Sequence, residues 1–317
     1  MLAESDEWLI SRFRLPRPIL LHLCNILEPN LTRPTRRSHA IPAHLQVLSV
    51  LSFLATGTFQ REIGDRSGIS QPTMSRILPA VLNGILKLVP EYITFPYNAQ
   101  RQVEVMQGFS AIANMPGVIG AIDCTHVCIK APSGDAFAYI NRKNFNSVNV
   151  QLICDAKCVL LNVVARWPGG THDAFILRNS AVGTRLEDGA VRNGWLIGDR
   201  GYPLTPWLMT PLTNPQTPQE LAYNEAHSAT RAVVERTNGV LKARWLCLDN
   251  KGGTLLYAPG KVCKIILACC VLHNVAIKQG LPLPEVPNAE ERLPPEPALG
   301  PQNAPAIQTR QRLVEQF

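Results

Sequence analysis

The chain has 317 residues, 46% hydrophobic and 17% charged, with a formal net charge of +7 and a pI of about 9.0. This length allows one large domain or two modest ones, with enough apolar residues for a sizeable core. The basic surplus fits a polyanionic partner such as DNA or RNA, and a solvated basic surface gives the same charge. The start, MLAESDEW, has no leader pattern, and the apolar stretch 45–55 is too short to cross a bilayer, so we expect neither secretion nor membrane insertion.

The nine cysteines also indicate a reduced, intracellular protein, because several lie inside apolar runs. They form no CxxC pair. Cys124 with Cys128, and Cys154 with Cys158, are spaced CxxxC within sequence that reads as strand or turn. This spacing disfavours structural zinc.

Residues 1–90 have the periodicity of helices. The segment IPAHLQVLSVLSFLATG (41–57) predicts a helix that ends at Gly57. The next segment, TFQREIGDRSGISQPTMSRIL (58–78), predicts a short helix, a turn and a second helix capped by Ser70, which is the pattern of a helix-turn-helix. Many helical hairpins share this pattern, so DNA contact by the outward-facing Arg76 is one of two interpretations. We expect Pro79 to end or kink the second helix.

The apolar residues of this segment define its expected inner face: Phe59, Ile63, Ile69, Met74, Ile77 and Leu78.

After a connector at 91–116 that includes one helix, the pattern changes to that of strands. Residues 118–130 predict a first strand, and residues 147–167 predict two strands joined by a tight turn at 155–157. A helix that starts near Thr171, a short strand that ends at Asp199 and two further helices follow. Residues 117–280 therefore predict an α/β domain, a mixed sheet with flanking helices. The tail at 281–317 has eight prolines between Pro282 and Pro305 and is expected to be extended or disordered.

Four acidic residues of this domain stand at positions where a sheet gathers ligands. Asp123 interrupts an apolar strand, Asp199 ends a strand, Asp173 begins a helix and Glu235 lies on a helix. Strand ends converge at one edge of such a sheet. Carboxylates gathered there remain ionised together only if cations lie between them, and Mg²⁺ prefers these oxygen ligands. Two such ions can activate water and stabilise the leaving oxygen in phosphodiester cleavage.

Each acid also has an ordinary interpretation. Asp123 could pair with a buried Lys or Arg, and Asp173 could favour the positive end of a helix dipole. Asp199, before Arg-Gly, could be a turn residue. Glu235 follows Arg231 by four positions and could form a surface ion pair.

Basic residues surround these acids along the chain. Lys130, Arg200, Arg231 and Lys242 are candidates for sequence-neutral contacts with phosphates, and could equally be solvated. We expect His126 to be a neutral, hydrogen-bonded residue.

Seven segments together carry a resemblance to a known family, and they cover roughly residues 45–277. They are GTFQREIGDRSGISQPTMSRIL, MPGVIGAIDCTHVCIKAP, NRKNFNSVNVQLICD, WPGGTHDAFILRNS, WLIGDRGYPLTPWLMTP, YNEAHSATRAVVERTNGVLKARWLCLD and IILACCVLHNVA. The chain resembles the harbinger transposase-derived nucleases and the PIF/Harbinger transposases, which are DDE-type proteins with an RNase H-like core.

The resemblance implies that Asp123, Asp199 and Glu235 are the catalytic, metal-binding triad and that Asp173 is a further metal ligand. It also implies a divalent cation, Mg²⁺ or Mn²⁺, a DNA substrate, and location in the nucleus and cytoplasm. A separate Myb-like DNA-binding protein is the implied partner, which makes the helix-turn-helix less suited to be the main DNA reader.

Two main hypotheses follow. The first is a metal-dependent nuclease, derived from a transposase or acting as one. The second is a catalytically silent, domesticated factor that binds DNA or a Myb-like protein. A zinc-binding nucleic-acid module is a third possibility, disfavoured by the cysteine spacing. The sequence leaves the oligomeric state open.

Overall fold

The first part of the chain folds into helices around a shared apolar core. The computed structural model describes residues 2–32, 40–286 and 303–317. The helices before the sheet are α1 (Asp6–Phe13), α2 (Arg17–Leu31), α3 (Ala43–Thr56), α4 (Gln60–Ser67), α5 (Gln71–Leu86), α6 (Val89–Tyr92) and α7 (Ala99–Ala113).

The predicted helix-turn-helix corresponds to α4 and α5. Gly57 and Gly68 adopt left-handed backbone conformations, with φ of 72° and 67°, and they end α3 and α4 as helix-terminating glycines do. Helix α5 continues through Pro79 to Leu86, so the helix does not end at this proline. The expected position of Phe59 is wrong, because its side chain is 68% exposed and does not lie on the inner face. Phe59 precedes the first turn of α4, so the apolar periodicity of the helix does not apply to its side chain.

A five-stranded mixed sheet forms the second part of the fold. Its strands are β1 (Val118–Cys128), β2 (Ser147–Cys154), β3 (Leu160–Pro168), β4 (Trp195–Ile197) and β5 (Leu208–Met209), in the spatial order β3-β2-β1-β4-β5. The pairs β1–β2 and β2–β3 are antiparallel, whereas β1–β4 and β4–β5 are parallel. This arrangement confirms the predicted RNase H-like fold class with an all-helical region before it.

Helices cover both faces of the sheet, because successive side chains of a strand point to opposite sides. On one face, Ile122 shares an apolar cluster with Leu177 of α8 (Asp173–Arg178) and Val182 of α9 (Ala181–Glu187). On the other, Ala121 shares a cluster with residues of α10 (Pro218–Arg244) and α11 (Pro259–Lys278). Asp123 has the same parity as Ala121 and therefore faces α10.

Helix α11 is the one helix of the described residues long and apolar enough to cross a membrane. In this fold, 67% of its apolar stretch is buried, as in the core helix of a globular domain. It lies against β3 and α5 and so joins the sheet to the helical region.

The Pro-rich tail differs in part from its prediction. Residues 304–314 form α12 (Ala304–Val314), which packs on α10, so disorder at this part of the tail is wrong. The ring of Phe317 meets that of Tyr223 edge-on, at 6.2 Å between centroids. Apolar side chains that proline content does not reveal, Ala306, Leu313 and Val314, are buried here. Residues 281–286 form no helix or strand, and residues 287–302 lie outside the described residues.

Candidate metal centre

Asp123 is hydrogen-bonded to a side chain of the helix that carries Glu235. Its side chain is only 3% exposed in the middle of β1, and its Oδ2 accepts a hydrogen bond of 2.8 Å from Nδ2 of Asn238. Asn238 follows Glu235 by three positions on α10, so the two residues lie on the same side of the helix. This contact brings the first and the last acid of the predicted triad to one region.

The parallel pairing of β1 with β4 ends two residues before Asp123 and Asp199. Ala121 of β1 pairs with Ile197 of β4, and Asp123 and Asp199 each follow two residues later along the sequence. Oδ1 of Asp199 accepts from the backbone N–H of Gly201 at 2.9 Å, so Asp199 is also a turn residue. The turn interpretation and the site interpretation are therefore compatible at this position.

Asp173 begins α8 and is held by β2. Nδ2 of Asn149 donates to Oδ1 of Asp173 and to the carbonyl oxygen of Thr171, both at 2.9 Å. Burial raises the pKa of Asp173; the Asn149 bond opposes this shift, and the negative charge of Asp123 adds to it. The N-terminal cap of α8 is His172, one residue after Thr171, near which the sequence predicts that this helix starts.

Glu235 forms the ion pair that its sequence spacing predicts. Nη2 of Arg231 lies 2.8 Å from Oε1 of Glu235, and both side chains are about a quarter exposed. Asp123 points toward α10, which carries Glu235, and Asp173 is bonded to Asn149 of β2, while the negative charge of Asp123 still acts on Asp173. In the part of the chain that the structure describes, no three His, Cys, Asp or Glu side chains are grouped to hold an ion.

The chemistry of the region nevertheless fits a divalent cation. The four carboxylates are hard oxygen donors, the kind that Mg²⁺ and Mn²⁺ prefer. Next to two of them lie buried amide oxygens, Oδ1 of Asn149 and Oδ1 of Asn238, which have no hydrogen-bonding partner among the described residues. Buried acceptors of this kind normally have a donor, which water around a divalent ion would supply.

Sequence reasoning missed several side chains that surround the acids. Besides Asn149 and Asn238, they include Tyr202, which is 2% exposed, and Cys124, whose Sγ lies 3.4 Å from the Tyr202 hydroxyl. Burial raises the pKa of the Cys124 thiol, and the charge of Asp173 raises it further, so this cysteine is a protonated thiol and not a nucleophile. One sequence signal was available, the alternation in SVNVQLIC, which buries three polar residues of β2 on one face: Ser147, Asn149 and Gln151.

Three of the predicted cations lie close to the acids. Nζ of Lys242 donates to the carbonyl oxygen of His126 at 2.8 Å, three residues after Asp123. Arg231 pairs with Glu235, and Arg200 is exposed directly after Asp199. Burial lowers the pKa of His126 to about 4, helped by the charges of Lys242, Arg142 and Lys143. His126 is thus neutral at physiological pH, as expected.

Two predicted cations lie farther along the molecule. Lys130 is exposed just beyond β1, where its backbone N–H donates to the carbonyl oxygen of Leu255. Arg76 lies on α5 in the helical region, and its Nε donates to the Pro72 carbonyl oxygen at 3.3 Å. The structure therefore separates Arg76 from the sheet that carries the acids.

We expect Asn149→Ala to lower metal-dependent activity about 10- to 100-fold, the usual effect of removing a side chain that orients a metal ligand. The change removes the bond that orients Asp173 while leaving the carboxylate in place. Cleavage rates at several Mn²⁺ concentrations measure the effect, which we expect to appear mainly as a weaker metal dependence. Asn179→Ala, an exposed asparagine just after α8, is the matched control. Equal metal dependence of the Asn149 variant and wild type would contradict the orienting role.

Comparisons with known proteins identify the family of the chain. The DDE superfamily endonuclease family matches residues 122–274. The chain is 42% identical over 277 residues to the human protein named "Putative nuclease HARBI1", covering 87% of this chain and 79% of that protein. The Xenopus laevis protein of the same name is 36% identical over 312 residues, 98% of this chain and 90% of the relative.

A plant relative is more distant. The Arabidopsis thaliana protein named "Antagonist of like heterochromatin protein 1" is 27% identical over 301 residues, 88% of this chain and 75% of that protein. No solved structure matches the chain significantly. On the animal relatives and the matched domain, the chain belongs to the HARBI1 family of harbinger transposase-derived nucleases.

Proposed function

We propose that this protein is a divalent-metal-dependent DNA nuclease, derived from a Harbinger-type transposase or acting as one. The observation that supports it best is the parallel pairing of β1 with β4, whose last pair, Ala121 with Ile197, precedes both Asp123 and Asp199 by two residues. The DDE superfamily endonuclease match over residues 122–274 supports the same activity.

Asp123, Asp199 and Glu235 would hold Mg²⁺ or Mn²⁺, with Asp173 as a further ligand. When bound, two such ions supply an activated water and charge stabilisation of the leaving oxygen. The chain itself fixes where the carboxylates stand. Asn238 orients Asp123, Asn149 orients Asp173, and the turn at Gly201 orients Asp199. Burial of Asp123 and Tyr202 keeps bulk water from this side of the region.

The DNA backbone would lie across the cations around the acids. Lys242, Arg231 and Arg200 stand close to the acids, with Lys130 farther along β1. Contacts of this type are sequence-neutral and weaken as salt concentration rises. Target selection and nuclear entry would then rest on a Myb-like partner, so the proposal includes function in nucleus and cytoplasm.

A second candidate function is a binding factor without turnover. It is favoured by the Arg231–Glu235 ion pair, which occupies one proposed ligand, and by the plant relative's name, which describes antagonism of another protein. Such a factor would bind DNA or a Myb-like protein equally well with and without divalent ions.

Incubation of the full-length protein with plasmid and linear DNA in Mg²⁺, Mn²⁺ or EDTA separates the two functions. We expect nicked or linear products with either metal and none with EDTA. A complex that forms in EDTA, together with intact DNA in both metals, would overturn the nuclease proposal and leave the binding factor.

A further inference from the structure

The most exposed large apolar side chain of the described residues lies near the acids. Phe137 is 88% exposed and belongs to a 3₁₀ turn, Ala136–Tyr139, in the loop at 130–146 that joins β1 to β2. We call this segment the β1–β2 loop. The proposed function assigns no role to Phe137.

The β1–β2 loop is held in shape by its own hydrogen bonds. The Asn141 side chain, 6% exposed, donates to Oγ of Ser147 at 3.0 Å and accepts from the backbone N–H groups of Lys143 and Phe145. Asn144 has a left-handed backbone, with φ of 63°. The exposure of Phe137 is thus a property of a fixed backbone, and the ring is presented to solvent at little further entropic cost.

Two glycines fasten this loop to the segment that carries Asp173. The N–H of Gly170 donates to the Ala138 carbonyl oxygen at 2.9 Å. A Cβ at Gly169 would lie 2.2 Å from Oγ of Ser147 and 2.5 Å from the Tyr139 carbonyl oxygen, so only glycine fits. The WPGG motif therefore serves to bring the backbone next to Phe137 against the chain that reaches Asp173 three residues later.

The charges of the β1–β2 loop suit a nucleic acid. Nη2 of Arg142 lies 3.2 Å from Nε2 of His172, the residue before Asp173. The positive charges of Arg142 and Lys143 both lower the pKa of His126 on β1. Proteins bind single-stranded nucleic acid with exposed aromatic rings that stack on bases and with cations that contact phosphates, and the β1–β2 loop carries both kinds of side chain.

We propose that Phe137 stacks on an unpaired base of the DNA, next to the phosphodiester held at the acids. The inference rests on the proposed function and specifies its substrate: DNA with an unpaired or opened nucleotide beside the scissile bond. Inside a duplex both faces of each base are covered by the neighbouring base pairs, so the ring can stack there only on an opened or unpaired nucleotide. The substrate preference should therefore depend on Phe137, whereas backbone affinity should depend on the cations.

Binding of two fluorescent DNAs in Ca²⁺, a blunt duplex and the same duplex with a single-stranded extension, tests this by anisotropy. We expect wild type to bind the extended DNA more tightly, and Phe137→Ala to weaken that complex about tenfold or more while leaving the blunt complex unchanged. Phe137→Trp should keep the preference. Val103→Ala, an exposed apolar residue on α7, is the control and should behave as wild type.

The inference fails if wild type has no preference, if Phe137→Ala retains it, or if that variant weakens both complexes equally. If Phe137→Ala binds both DNAs as wild type does, the ring has no role in DNA binding and is instead a candidate for contact with another protein. If wild type prefers the extended DNA, loses this preference on Phe137→Ala and yet never cleaves DNA, the stacking role is supported and the proposed nuclease function is refuted. Phe137 has almost no buried surface to lose, so we expect its variants to fold as wild type does. Circular dichroism and thermal melting of each variant check this.

Discussion

Asp123→Asn is expected to abolish DNA cleavage, by at least about a hundredfold, without unfolding the protein. Asparagine has the size of aspartate, and its carbonyl oxygen can accept the bond that Asn238 now donates at 2.8 Å. What the change removes is the negative charge, and with it the affinity for a divalent ion. The substitution therefore tests the effect of the charge on cleavage without changing the contribution of the side chain to folding.

Cleavage rates in Mg²⁺ and Mn²⁺ measure this effect, and Mn²⁺-dependent thermal stabilisation provides a readout independent of turnover. We expect wild type to be stabilised by Mn²⁺ and the variant to respond less. Asp188→Asn, at the exposed end of α9, removes the same charge at a residue outside the four acids and should leave both measurements unchanged. Full activity of Asp123→Asn would rule out its role as a metal ligand and the mechanism with it.

Asn274→Ala is expected to produce the largest loss of stability among the changes considered, about 3 kcal/mol or more. Asn274 is fully buried on α11 and bonds to two other elements. Its Nδ2 donates to the Leu160 carbonyl oxygen at 2.7 Å and to that of Tyr92 at 2.8 Å, and its Oδ1 accepts from the Leu160 N–H at 2.8 Å. Alanine would leave three buried backbone groups without partners.

Urea denaturation of the full chain measures this free energy of unfolding. Asn179→Ala serves as the control, because its side chain makes an exposed local bond to the Phe175 carbonyl oxygen and should cost under about 1 kcal/mol. A cost of Asn274→Ala as small as that of the control would show that water replaces the lost bonds.

The same contacts give a physical meaning to the segment IILACCVLHNVA. His273, next to Asn274, has Nε2 at 2.9 Å from the Cys158 carbonyl oxygen and is fully buried, and burial lowers its pKa to about 4. Both residues fasten α11 to the turn between β2 and β3. The resemblance of this segment to the family therefore reflects residues that stabilise the fold, whereas the four acids belong to the proposed metal site.

Much of the fold was readable from periodicity. The helix at 43–56, the helical pair at 60–86 and the strands around Asp123 follow from apolar spacing and terminal glycines, which act within a few residues. The misjudged positions, Phe59, Pro79 and the helix at 304–314, depend instead on what a neighbouring element covers.

By itself the sequence determined most of the helices and strands before residue 280 and the four acidic positions, because an acid in an apolar strand or at its end is visible locally. Only the tertiary structure decided which groups orient those acids. Asn238 and Asp123 are 115 positions apart, and Asn149 meets Asp173 across two elements. It also decided that Phe137 is held outward while similar residues are buried. Such pairings depend on packing between distant segments, which no local pattern records.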